Sequence, residues 1–104
     1  MIKLFAIPSE KIRDAKKILE NPDVVTNKWA RNGYNLRDAK ILGFERDCSY
    51  LYVEGPEEFF KENEKQITEI EGVKTIDGNE FDEVKAKIDE EEAGKIAGIG
   101  SFFG

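Results

Sequence analysis

The chain has 104 residues, 39% apolar and 37% charged, with a formal net charge of −6 and a sequence pI near 4.8. That length suits one compact domain with a modest core and excludes a core plus an independent second domain. Histidine is absent, which removes the usual serine and cysteine triads and most zinc and non-haem iron sites from consideration.

Ile2 to Ile7 predicts a first strand, with Phe5 and Ile7 alternating against Leu4 and Ala6 until Pro8 ends the pattern. Ser9 reads as the N-cap of a helix whose apolar face is Ile12, Ala15, Ile18 and Leu19, and Asn21-Pro22 stops it. In residues 23–38, Asn32-Gly33 fits either a hairpin turn between Trp29 and Leu36 or the stop of a short helix. Helix or irregular structure is the favoured reading there. Leu36-Arg37-Asp38-Ala39-Lys40 echoes Ile12-Arg13-Asp14-Ala15-Lys16 and hints at a further short helix.

After Gly43 the apolar period becomes two. A turn at Asp47-Cys48 would pair Phe44 with Leu51, place Leu42, Phe44, Leu51 and Val53 on one face, and leave Ile41, Glu45, Tyr50 and Tyr52 on the other. Gly55-Pro56 opens a helix that buries Phe59, Phe60, Ile67 and Ile70 and ends at Gly72. Val73, Thr75 and Ile76 form a short strand, Gly78-Asn79 turns, and a last helix capped by Asn79 carries Phe81, Val84 and Ile88. The expected fold is α+β, a ferredoxin-like β-α-β-β-α-β antiparallel sheet with helices on one face, plus a C-terminal helix and an apolar, Gly-broken tail over 96–104. All of it belongs to one domain, 1–104.

With one sheet face open, Tyr50 and Tyr52, together with Phe5 on the neighbouring strand, could stack nucleic-acid bases; packed under the terminal helix or a second subunit, the tyrosines would be core. The segment from Asn27 to Arg37 interleaves Trp29 and Tyr34 with Lys28, Arg31 and Arg37, which suits a phosphate backbone, or else a core tryptophan with a solvated basic edge. Lys3-Leu4-Phe5-Ala6-Ile7 and Ser49-Tyr50-Leu51-Tyr52-Val53-Glu54 resemble the first-strand and third-strand motifs of an RNA-recognition motif. Ser49, Leu51 and Gly55 depart from that pattern. Tyr50-Leu51-Tyr52-Val53-Glu54, a helix, then Gly72-Val73-Lys74-Thr75-Ile76-Asp77-Gly78 and a closing helix resemble the N-terminal domain of NusG-type transcription factors over residues 41–90. Both resemblances imply a nucleic-acid-associated accessory role.

Charge changes sign along the chain, from +3 over residues 1–53 to −10 over residues 54–92, a pattern that bears on partners more than on fold. Asp77-Gly78-Asn79-Glu80-Phe81-Asp82-Glu83 gathers oxygen ligands but fails the EF-hand spacing. It reads as an acidic helix start, so no metal site is expected. Asp89-Glu90-Glu91-Glu92 opposes the helix dipole and could meet the basic half of a neighbouring molecule. Ile96, Ile99, Phe102 and Phe103 in the tail must be docked on the domain or on a partner.

Cys48 stands alone, the longest apolar run is Leu4 to Pro8, and no signal-peptide layout leads into it. A cytoplasmic setting without membrane insertion follows as the expectation. No cofactor signature is present. The leading expectation is a non-catalytic protein-association module, a homo-oligomer or accessory subunit, using the tail and the acidic run. A nucleic-acid-associated factor using Tyr50, Tyr52, Phe5, Trp29, Arg31 and Arg37 comes second, and a divalent-cation or small-ligand binder third.

Overall fold

The structure is a computed structural model that describes residues 1–23 and 27–103, with side chains through Glu92. Its elements are β1 (Ile2–Pro8), a 3-10 turn (Ser9–Lys11), α1 (Ile12–Leu19), α2 (Lys28–Asn32), β2 (Asn35–Asp38), β3 (Cys48–Glu54), α3 (Glu57–Thr68), β4 (Lys74–Ile76) and α4 (Gly78–Phe103). Four strands form one antiparallel sheet in the order β2-β3-β1-β4. Central β1 pairs with β3 from Ile2 opposite Glu54 to Pro8 opposite Cys48, and with β4 from Leu4 opposite Ile76 to Ala6 opposite Lys74.

The period of two sends alternate side chains to opposite sheet faces, and both faces are covered. Phe5, Ile7, Leu51 and Val53 lie in one core with Ala15 and Leu19 of α1, Trp29 of α2, and Phe59, Phe60 and Ile67 of α3. Leu4, Tyr50 and Ile76 lie in a second core with Ala39, Leu42, and Val84 and Ile88 of α4. Helices therefore occupy both faces, with the C-terminal helix over the face of Tyr50, the packed one of the two arrangements that the sequence allowed. Phe5 is in the first core and does not share a face with the two tyrosines, because its register partner is Leu51 and not Tyr50 or Tyr52.

The short helix α2 depends on Asn27, which is 4% exposed. Its side-chain oxygen accepts from Ala30 N at 3.1 Å, and its Nδ2 donates to the carbonyls of Leu19 at 2.9 Å and Asn21 at 2.8 Å. One residue thus caps α2 and satisfies the frayed end of α1. Gly33 N bonds Trp29 O at 2.9 Å, so Asn32-Gly33 stops a helix and is not a hairpin turn.

The second strand differs from the sequence expectation. It lies at Asn35–Asp38, where a short helix was expected, and not at 41–45. Asp38 is the reason: its side chain accepts from Lys40 N at 2.8 Å and its carbonyl accepts from Ile41 N at 3.1 Å and Leu42 N at 3.4 Å. The chain therefore coils into a turn over residues 39–43, which Gly43 closes at φ +92° and Phe44 N seals on Ala39 O at 2.9 Å. Leu42 and Phe44 reach the second core from this turn, and the alternation there is coincidental.

Smaller shifts occur at helix starts. Ser9 opens the 3-10 turn without a side-chain cap bond, and α4 begins at Gly78, one residue before Asn79. The helix also does not end near the acidic run. No proline interrupts residues 78–103, and glycine in a helix costs only about 1 kcal/mol relative to alanine, so α4 continues through Phe103. The side chains of Ile96, Ile99, Phe102 and Phe103, with which tail docking was expected, lie outside the described residues.

Candidate functional site

Two arginines from the basic half fasten α4 across the second sheet face. Near the start of the helix, Arg46 Nη1 donates to the Tyr50 hydroxyl at 2.8 Å, and Nη2 donates to Glu83 Oε2 at 3.4 Å. The Tyr50 hydroxyl donates to Glu80 Oε2 at 3.1 Å, and the guanidinium lies 4.5 Å from the Phe44 ring centroid. Burial, opposed by the Arg46 hydrogen bond, pushes the Tyr50 phenol up to about 12. Burial likewise raises the neighbouring Cys48 thiol, which holds it protonated and disfavours nucleophilic chemistry.

Farther along α4, Arg37 of edge strand β2 donates from Nε to Glu91 Oε1 at 3.0 Å and from Nη2 to Glu92 Oε1 at 3.1 Å. The other two members of the acidic run have cations on the helix itself, Lys85 for Asp89 at 2.7 Å and Lys87 for Glu90 at 3.7 Å. Four consecutive acids late in a helix are tolerated because each faces a cation. The acidic and basic halves therefore meet within one chain.

These contacts decide what the aromatic candidates can present. Tyr50 is fully buried and Tyr52 half-buried, its phenol raised first by burial and then by Asp89. Trp29 is 1% exposed, edge-on to Phe59 with centroids 5.0 Å apart, and its Nε1 donates to Gln66 Oε1 at 3.0 Å. A stacking platform needs an exposed ring face, and Tyr50, Phe5 and Trp29 offer none. Of the basic candidates, Arg31 is exposed while Arg37 is engaged with α4. Arg46 was not singled out from sequence, and Glu80 and Glu83 were read there only as part of an acidic helix start. Their meeting depends on how α4 crosses the sheet, and no local spacing announces it.

Several shallow clefts open on the surface, one of them beside Tyr52 and Glu54 and another at an edge. A cleft of about 330 Å³ is lined by Ile41, Leu42, Lys87, Glu90 and Glu91, where the 39–43 turn meets α4. Ile41 is 73% exposed. Among the described residues no group of three or more Cys, Asp or Glu is placed to hold a metal ion, and no helix is long and apolar enough to cross a membrane. No protein family, curated protein or solved structure matches the chain.

Proposed function

We propose that the chain is a cytoplasmic, non-catalytic protein-association module, an accessory subunit or homo-oligomer, whose binding element is the C-terminal half of α4. The scaffold beneath it reads as the split β-α-β, ferredoxin-like layout, with α2 inserted after α1 and α4 laid over the second face. One observation carries the proposal. The helix continues unbroken from Glu92, tied to edge strand β2 by Arg37, to Phe103.

Those residues advance about 16 Å along the axis. A continuous helix has no hinge by which to fold back on its own sheet, so by helix geometry this segment runs on beyond the Arg37 contact with Glu92. Its sequence from Ile96 to Phe103 contains no charged residue and includes two Ile and two Phe. Apolar surface of that kind is stable in water only when covered.

The test is a chain ending at Glu92, which keeps both arginine contacts to α4 and hence the fold. Affinity capture and native mass should show loss of partner or of oligomer in the shortened chain. Unchanged mass and unchanged partners would overturn the proposal.

A further inference from the structure

We infer that the partner is a second copy of this chain, with residues 96–103 of each copy docking in the Ile41–Leu42 cleft of the other. The inference rests on the association reading above and adds the identity of the partner and the surface that receives it. Ile41 and Met1 are the exposed large apolar side chains among the described residues, and Met1 stands at the first position. Ile41 is not a frayed residue. The backbone bonds from Ile41 N to Asp38 O and from Phe44 N to Ala39 O fix its turn, so an apolar side chain is held in water on a rigid support.

Charge at the cleft selects its occupant. Lys87 is paired with Glu90 at 3.7 Å and Glu91 with Arg37 at 3.0 Å, so the rim carries compensated charges. A phosphate or a charged peptide would have to break those pairs, whereas an uncharged segment leaves them intact at the cost of shielding them in part from water. Residues 96–103 are such a segment. They leave from the same edge, since Glu91 lines the cleft and belongs to the same helix.

The helix carries the segment away from its own cleft, reaching about 18 Å beyond Glu91 at Phe103. A donor and an acceptor at one edge, unable to meet within a copy, are both satisfied when two copies pack about a two-fold axis. The net charge of −6 opposes approach elsewhere on the surface. At this edge each acid faces a cation, Arg37 serving both Glu91 and Glu92, and the opposition is reduced.

Native mass spectrometry and sedimentation on the full chain, Ile41→Asp and the chain ending at Glu92 test the inference, with Trp29 fluorescence and circular dichroism confirming each fold. The full chain should be dimeric, Ile41→Asp should weaken the dimer by at least about tenfold, and the shortened chain should be monomeric. A monomeric full chain that captures a different protein through its tail overturns the inference and leaves the association reading standing. A dimer lost on shortening but unaffected by Ile41→Asp overturns the cleft assignment in the same way. A dimer that survives shortening, or a chain that associates with nothing, overturns both.

Discussion

Arg37 Nη2 lies 3.1 Å from Glu92 Oε1, and this contact joins the sheet's edge strand to the last of four consecutive acids on α4. With Arg46 meeting Glu80 and Glu83 near the other end of the covered stretch, the sign change along the chain becomes a contact between its halves. Both ends of the contact are electrostatic; between them Val84 and Ile88 supply apolar burial. The helix is thus fastened by salt-sensitive contacts flanking a salt-insensitive one.

Replacing Arg37 by alanine should therefore loosen one end of the helix without unfolding the domain. The pair is partly exposed, with side-chain exposures of 21% for Arg37 and 28% for Glu91, so the expected loss is about 0.5–1 kcal/mol. Amide exchange should quicken over residues 88–92 more than over α1 or α3. The difference between the variant and the parent should shrink in high salt.

Tyr50 makes alkaline pH destabilising. Its folded value of about 12 lies above the ordinary 10.0, so the folded state holds the proton after the unfolded chain has released it. The contribution is fully present below pH 10 and is lost as pH rises through about 12. Tyr50→Phe should cost about 1 kcal/mol at neutral pH, by removing the hydroxyl between Arg46 and Glu80, and should flatten the alkaline fall in stability. Denaturant titrations across that pH range check both effects.

Gly43 and Gly72 separate strain from collision. Both have positive φ, +92° and +85°, but a Cβ on Gly43 would meet nothing within 4 Å, whereas one on Gly72 would lie 2.8 Å from Pro8 Cγ. Gly43→Ala should cost about 1 kcal/mol from backbone strain alone. Gly72→Ala should cost about 2 kcal/mol or more, because a proline ring yields little and belongs to the central strand. Thermal melts of the two variants should rank in that order.

The strands β1, β3 and β4 and the apolar stripes of α1, α3 and the first half of α4 were legible because local periodicity dictates them. Phe5 and Ile7 alternate in a fully paired strand, and Phe59, Phe60 and Ile67 recur on one helix face. The second strand was not legible. Leu36 to Lys40 copies a helical pattern from α1, but β3 offers Leu36 and Arg37 pairing partners in Leu51 and Tyr50, and Asp38 then diverts the chain into a turn. Tertiary pairing outweighed propensity. The contacts of Arg37 and Arg46 with α4 span 34 to 55 positions of sequence, and so left no local mark. The tyrosine face was legible only as two alternatives, open or packed under the terminal helix, because nothing in Tyr50 or Tyr52 alone tells which way a helix thirty residues later will lie.

Asn27 offers the sharpest test of how the start of α2 is held against the end of α1. Its oxygen caps Ala30 N while its amide serves two carbonyls, those of Leu19 and Asn21, in a site where the residue is 4% exposed. Asn27→Ala removes all three bonds and should cost about 2 kcal/mol. Asn27→Asp keeps the cap but aims a carboxylate at two carbonyl oxygens, so at neutral pH it should be at least as damaging as alanine despite its closer shape. Acid should reverse that ranking, because a protonated carboxyl regains a donor and the introduced group is held above its unfolded pKa. Stability of the aspartate variant relative to the alanine variant should rise as pH falls. An aspartate variant as stable as the parent at neutral pH would show that the amide's two donated bonds contribute nothing, and that capping alone holds α2.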